Sequence, residues 1–343
     1  MIAAQYRGAG QIGHITTELG TPGPGEVRVA VHYTGICGTD LHIFHGHMDA
    51  RVTMPAVIGH EMSGVVSEVG PDVTEWSVGD AVTVMPLQWC GECPACRAGH
   101  SHICHRLVFI GIDSPGALQN EWVVPAKTLV ALPAGLDLRT AALVEPLAVA
   151  LHDLGRARLQ PGQHVLVVGG GPIGALIALG ALTQDVEVLV SEPDASRRAL
   201  LERLGVATVD PTTTDLAAHV LAWTDGAGVE VAFEVSGVQP GIDAAVEALA
   251  TRGRLVLVAI HPQPRPVNLH RFFWRELELV GARVYERVDF EAAAALLAEQ
   301  GERLAALITA VYPLPEAAEA FARLEAGGGV MKVLVDCTVG GAA

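Results

Sequence analysis

The chain has 343 residues, enough for about two domains, and half of them are hydrophobic against 17% charged, which supplies sizeable cores and excludes a disordered polypeptide. Its net charge of −16 disfavours nucleic acid and anionic membrane surfaces as partners. Residues 1–7 lack a charged stretch followed by an apolar core, so no signal peptide is expected and a cytoplasmic location is. Residues 1–35 alternate short strand-like runs with turns. Gly20-Thr21-Pro22-Gly23-Pro24-Gly25 marks a loop, and 26–31 alternates polar and apolar as a half-buried strand does. Runs at 57–70 and 81–85 read the same way, which makes this an all-β region with many turns. After a cysteine-rich segment, 120–124 and 129–132 add strands, and 139–154 is apolar at helical spacing, long enough for a helix joining two domains.

From Gln163 the character changes. Strands at 165–168, 186–190, 206–209, 229–235 and 254–260 alternate with helices at 175–182, 195–204, 216–223 and 239–249, the pattern of a parallel sheet with helices on both faces. The longest uncharged run, 165–184, belongs to this pattern. Its glycine-proline break argues against a membrane span. Helices at 290–299 and 314–326 and a strand at 331–337 are expected to return to the β-rich domain. There is no internal repeat and no low-complexity segment. Lys127 and Lys332 are the only lysines, a bias to which no function attaches at this level.

The first strand of the second region runs into Gly169-Gly170-Gly171-Pro172-Ile173-Gly174. The spacing Gly169-x-Gly171-x-x-Gly174 is a dinucleotide fingerprint: a tight turn, a close backbone approach to pyrophosphate, and a close helix–strand contact. Glu192, ending the next strand, stands where a carboxylate binds the adenosine ribose, favouring NAD over NADP. Arg197 and Arg198 follow, and arginine can hold a phosphate or stack on adenine. A solvated helix start is the plainer reading of that cluster. Cys90, Cys93, Cys96 and Cys104 lie within fifteen residues and make a complete thiolate shell for a structural zinc, with no position left for substrate. His100, His102 and His105 nearby read as surface loop residues. Cys37 with His60-Glu61 offers a thiolate, an imidazole and a carboxylate, a possible catalytic zinc set. Glu145 is a lone carboxylate in an apolar run, whose plainer reading is a salt-bridged helix acid.

In order and spacing, Gly35-Ile36-Cys37-Gly38-Thr39-Asp40-Leu41-His42, Gly59-His60-Glu61-x-x-Gly64, the four-cysteine lobe, Glu145-Pro146-Leu147 and the glycine turn together resemble the zinc-dependent medium-chain dehydrogenase/reductase family, in its polyol, butanediol and threonine dehydrogenase branch, over essentially the whole chain. The resemblance implies a Rossmann doubly wound sheet (147–284) and a β-rich GroES-like catalytic domain carrying a structural zinc lobe (1–146 with 285–343). It implies that Cys37 and His60 ligate a catalytic zinc, with Glu61 or Glu145 completing the shell. Thr39 would pass on a proton from the zinc-bound alcohol and His42 would carry it to solvent through the cofactor ribose, with Asp40 a structural neighbour. Val235-Ser236 and Val258-Ala259-Ile260 fall where the family lines the nicotinamide. The implied protein is a homo-oligomer, dimer or tetramer, with two zincs per chain and NAD(H). It interconverts a secondary alcohol, such as a polyol or vicinal diol, and its ketone.

The segment 43–54 looks shorter than the corresponding loop of butanediol or sorbitol dehydrogenases, which puts those two substrates in doubt. His45 and His47 there read as solvated, with substrate contact as the alternative. His270-Arg271-Phe272-Phe273-Trp274-Arg275 could line a pocket, form a subunit contact or pack at a domain edge. Competing readings are an amino-alcohol dehydrogenase of the same family, a non-catalytic zinc and nucleotide module, and a zinc-free reductase of the same fold. The joint presence of Cys37, Thr39, His42 and His60 speaks against the last two.

Overall fold

A computed structural model describes residues 1–339; the end of the expected catalytic domain, 340–343, lies outside the described residues. The chain divides into two compact units, one formed by Met1–Glu145 with the chain from Glu286 onward, the other by Pro146–Tyr285.

In the first unit β1 (Ile2–Gly8), β2 (Gln11–Thr16) and β3 (Glu26–Gly35) lead into the short helix α1 (Gly38–Phe44). They are followed by β4 (Ala56–Val57), β5 (Glu61–Val69), β6 (Ala81–Val84) and β7 (Leu87–Gln88). Next come α2 (Pro94–Arg97), β8 (Val108–Phe109), β9 (Glu121–Pro125), β10 (Leu129–Ala131) and α3 (Leu138–Ala141). The alternation at the start of β3 has the expected consequence: Val27, Val29 and Val31 are buried and the residues between them are half-buried. The run expected as one strand at 57–70 is two. Gly59, at φ +98° with Leu118 and Thr34 packed where a Cβ would stand, turns the chain between β4 and β5, which lie in different sheets.

The second unit begins within α4 (Val144–Ala157) and continues through β11 (His164–Val168), α5 (Pro172–Ala181), β12 (Glu187–Ser191), α6 (Ala195–Arg203) and β13 (Ala207–Val209). It is completed by α7 (Leu216–Trp223), β14 (Val229–Glu234), α8 (Gln239–Ala248), β15 (Leu249–Leu257), α9 (Leu269–Arg275) and β16 (Glu278–Gly281). The single helix expected at 139–154 is broken at Ala142-Leu143. Pro146 has no N–H to donate and is tolerated only in a first turn, so a new helix starts just before it. The strand expected at 254–260 begins earlier, at Leu249, and ends at Leu257, leaving 258–260 in a loop.

All six strands of this unit are parallel in the order β13-β12-β11-β14-β15-β16. That is the doubly wound order in which the chain reverses direction between the first and fourth strands, here β11 and β14, and ligands bind beyond the carboxyl ends at that point. Leu166, Val168, Ala232, Leu255 and their neighbours form its buried core against α7 and α8.

The chain then returns to the first unit as α10 (Arg287–Ala305), β17 (Ile308–Pro313), α11 (Ala317–Ala326) and β18 (Lys332–Asp336). Helix α10 is longer at both ends than expected, and the expected helix at 314–326 opens with a 3-10 turn at Leu314–Glu316. Strand β18 inserts beside β3, giving the order β10-β6-β5-β3-β18-β17 with β9 also on β3. Strand β3 thus lies between β5 and β18, so residues around the ends of three strands converge there. Among the described residues no helix is long and apolar enough to cross a membrane.

Candidate functional site

Around the end of β3 the chain gathers a chemically dense cluster. Ligand atoms of Cys37, His60 and Glu61 lie within 4.8 Å of one another. Cys37 caps α1, and its N–H donates to Asp40 Oδ2 at 2.9 Å. Asp40 is fully buried, and its other oxygen stands 3.5 Å from His60 Nδ1, an electrostatic contact rather than a formed hydrogen bond. Carboxylate–imidazole pairing of this kind fixes a ring so that its other nitrogen can serve a metal. Burial opposes charge on His60, but the Asp40 carboxylate and Cys37 outweigh it and hold the imidazole well above its ordinary value. This donor set therefore draws in positive charge, which fits a divalent cation.

Glu61 lies opposite Gly35 in the β3–β5 register, and a Cβ on Gly35 would fall 2.1 Å from the Glu61 carboxylate. Its two oxygens accept from Lys332 Nζ at 2.8 and 2.6 Å, and Lys332 also donates to the Ile36 carbonyl. Both side chains are buried. Burial works to lower the Lys332 pKa, yet Glu61 foremost, with Cys37 and Glu145, raises it. Glu145, in the first turn of α4, is 4% exposed. Sequence reasoning passed over Lys332. The available signal was a lone lysine inside the apolar run Val330-Met331-Lys332-Val333-Leu334-Val335 in a chain otherwise supplied with arginine.

Thr39 and His42 sit three apart on α1, both half-buried. Burial, then His47 and His45, lower the His42 pKa and keep its ring neutral at ordinary pH. Its Nδ1 lies 3.4 Å from that of His47, and His45 pairs with Glu325 at 2.6 Å. Within the unit Arg51 forks onto both oxygens of Asp113 at 2.7 Å, and the buried Tyr6 donates to Asp49 at 2.6 Å, so the middle of the loop is tied down on both sides of residue 50.

The four cysteines form a second cluster. Their Sγ atoms are separated by 4.0 Å (Cys90–Cys96), 3.8 Å (Cys93–Cys104) and 3.5 Å (Cys90–Cys104). A tetrahedral zinc with bonds of 2.3 Å needs sulfurs about 3.8 Å apart, so the set fits that ion. Backbone N–H groups of Cys93, Cys96, His105 and Arg106 point at the sulfurs at 3.3–3.5 Å. The N–H of Glu92, first among such donors, helps bring the Cys90 thiol down to about 6, and N–H groups lower Cys93 as well. His102 is not the surface residue expected. It is 6% exposed, with Nδ1 3.4 Å from Glu286, because the folded lobe packs it inward.

In the other unit the three glycines behave as three different constraints. Gly169 has φ +107° and lies against Val235 and Ser236. A Cβ on Gly174 would stand 1.9 Å from the Gly169 carbonyl oxygen. One on Gly171 would meet nothing nearer than Arg197 Nη1 at 3.8 Å, leaving the backbone at the N-terminus of α5 open to a diphosphate. Pro172 and Ile173 form the first turn of that helix. Glu192 is less free than its sequence position suggested: its carboxylate accepts from Gly170 N at 2.7 Å and Asp194 N at 2.8 Å. Arg198 is turned to Glu192 and Pro193 carbonyls and to Asp210. Val235-Ser236 and Val258-Ala259-Ile260 lie just beyond the carboxyl ends of β14 and β15. Glu234, the buried one of the two acids in β14, sits between them and was also passed over.

Comparison with known proteins gives a consistent result. Residues 23–134 match the alcohol dehydrogenase GroES-like domain, and residues 172–299 match the zinc-binding dehydrogenase domain. A 2-dehydro-3-deoxy-L-galactonate 5-dehydrogenase of Pseudoalteromonas atlantica is 51% identical over 98% of this chain and 99% of its own. An L-galactonate-5-dehydrogenase of Escherichia coli K12 is 31% identical over 89% and 90%. A crystal structure from Sinorhizobium meliloti 1021, described as a zinc-binding dehydrogenase bound to NADP, superposes with a TM-score of 0.90 at 31% identity, covering 98% of both chains.

The Lys332–Glu61 pair yields a direct expectation. Lys332→Met leaves a buried carboxylate without its partner and lowers the unfolding free energy by about 3–5 kcal/mol in urea titration. Adding Glu61→Gln restores most of the loss. Because the lysine pKa is raised by folding, the contribution is full below its ordinary value of 10.5 and fades as the pH rises through the higher folded value. A single variant as stable as the parent refutes the pairing energy.

Proposed function

The chain belongs to the zinc-dependent medium-chain alcohol dehydrogenase family, and on that premise we propose that Cys37 and His60 hold its catalytic zinc, with Glu61 or Glu145 completing the shell. The protein is a zinc- and nicotinamide-dependent oxidoreductase that interconverts a secondary alcohol and its ketone. The observation that carries the site is the gathering of Cys37, His60 and Glu61 within 4.8 Å around the end of one strand.

When bound, the metal supplies Lewis acidity to the substrate oxygen and the nicotinamide exchanges the hydride. The chain's own residues do the rest. Asp40 orients His60. Lys332 holds the Glu61 carboxylate by both oxygens. The Thr39 hydroxyl accepts the proton of the substrate alcohol as it gives up its own toward the cofactor ribose, and His42 takes that proton from the ribose and releases it to solvent. In the reverse direction the same pair supplies the proton to the ketone. Cys90, Cys93, Cys96 and Cys104 hold a second, structural zinc.

The narrower substrate proposal is a sugar acid oxidised at a secondary hydroxyl, on the strength of the two relatives whose names specify 5-dehydrogenation of such acids. Gly169, Gly171, Pro172, Ile173 and Gly174 would receive the pyrophosphate, Glu192 and Arg197 the adenosine ribose, and Val235, Ser236 and Val258–Ile260 the nicotinamide half. A cytoplasmic location belongs to the same proposal. So does a homo-oligomer. Strand β16 is an open sheet edge, and Leu269, Phe273, Trp274 and Leu279 of this unit are exposed apolar residues that a second copy would cover.

Metal analysis is expected to give two zincs per chain, and Cys37→Ser is expected to leave one, with turnover reduced about a thousandfold. Of aldonates, polyols, vicinal diols and threonine offered with NAD, the aldonates are expected to give the highest kcat/KM, followed as NADH absorbance; a clear preference for threonine overturns the sugar-acid reading. Glu192→Ala is expected to move cofactor preference about tenfold toward NADP, and an unaltered ratio removes it from the ribose site. Light scattering after size exclusion is expected to show a dimer or tetramer, shifted toward monomer by Leu279→Asp; a parent that is already monomeric rejects the oligomer.

A further inference from the structure

The cofactor unit spends a buried carboxylate where its sheet needs none. Glu234 ends β14, fully buried behind Val231, Ala232 and Phe233. A carboxylate in such a place is costly unless every lone pair is used. Here both oxygens are used, and their partners lie in loops rather than in the strand ladder. Oε1 accepts from Ser236 N at 2.9 Å, Ser236 Oγ at 2.5 Å and Gly237 N at 3.0 Å. Oε2 lies 2.9 Å from His261 Nε2. The main-chain carbonyl of the same residue accepts from Val258 N at 3.0 Å and Ala259 N at 3.1 Å. One residue therefore ties the loop after β14 to the loop after β15.

The neighbouring helix leaves room for this cluster only because it carries a glycine there. A Cβ on Gly241, in the first turn of α8, would stand 2.0 Å from Ser236 Oγ and 3.2 Å from Glu234 Oε1. Val235 N donates to the Val168 carbonyl at 2.9 Å, and Gly169 packs against Ser236, so the tied loops also abut the glycine turn. The His261 side chain is 11% exposed. Its Nδ1 is buried and makes no hydrogen bond among the described residues, so Glu234 is the ring's polar tie and Nε2 carries the proton.

We propose that Glu234 and His261 are positioning residues that brace the two loops receiving the nicotinamide half of the cofactor. The inference rests on the dinucleotide reading given above and adds to it a function for two residues that touch neither zinc cluster nor the glycine fingerprint. Residues 258–260 have left the sheet, and residues 235–237 follow β14 without joining another strand. Their backbone groups must be held by something other than a ladder if they are to meet a carboxamide in fixed geometry. The brace supplies that. It acts at the switch point between β11 and β14 and leaves the turn at Gly171 and Glu192 untouched.

The test separates the two halves of the ligand. NADH and ADP-ribose, which lacks the nicotinamide, are titrated calorimetrically against the zinc-loaded protein and its variants. His261→Leu is expected to weaken NADH about tenfold while ADP-ribose stays within about twofold of the parent. His261→Gln, which keeps an N–H donor at a similar reach, is expected to recover most of the NADH affinity. Equal losses for both ligands, or NADH binding unchanged in His261→Leu, overturn the brace. If His261→Leu does not fold, the Gln variant decides alone, since a selective NADH loss much greater than twofold there contradicts a donor-dependent tie. A parent that binds neither ligand overturns the dinucleotide reading itself, a result distinct from the others.

Discussion

The buried ion pair between Lys332 and Glu61 is the constraint on which the catalytic unit depends. Neither partner is tolerable alone in that interior, because the desolvation of a single charge far exceeds what its surroundings return. The pair forms only when β18, from the last part of the chain, inserts beside β3 while β5 lies on the other side. The return of the chain from the cofactor unit is therefore part of the site and not a peripheral tail. The same three strands bring Cys37, His60 and Glu61 together, so the fold's closing interaction and its proposed metal site share one carboxylate.

Charge is used in the same manner elsewhere. Asp40 takes the Cys37 N–H and faces His60, and the Glu234 side chain ties two loops through four hydrogen-bond contacts. Each is a buried acid that accepts from backbone N–H groups outside the regular ladder and faces a histidine. Buried polar groups satisfied in this way rigidify a local geometry. The cysteine lobe achieves rigidity by another route, with backbone N–H groups directed at four sulfurs placed at the separations zinc requires.

The two units divide the chemistry. The β-rich unit offers the gathered donors Cys37, His60 and Glu61, the proposed catalytic metal site. The doubly wound unit offers an open helix N-terminus and a switch point between β11 and β14. An alcohol dehydrogenase needs both, because hydride and proton leave the same carbinol in different directions. The matches to an alcohol dehydrogenase GroES-like domain and to a zinc-binding dehydrogenase domain fall on these two regions in that order.

Much was legible in the sequence, wherever the cause is local. Alternating polarity made β3, the glycine spacing made the turn before α5, and four close cysteines made the metal lobe, since each depends on residues within a few positions of one another. The fold class followed from strands alternating with helices. Pro146 was also local information, and it ends the notion of a single helix at 139–154. What only the tertiary structure decided involves distant partners. Lys332 meets Glu61 across 271 positions, Glu234 at the end of one strand meets His261 in the loop after the next, and His102 is buried by packing of its lobe. No periodicity encodes such pairings. A lone charge in an apolar run signals only that a partner must exist, and the strand order of the folded sheet selects which residue it is.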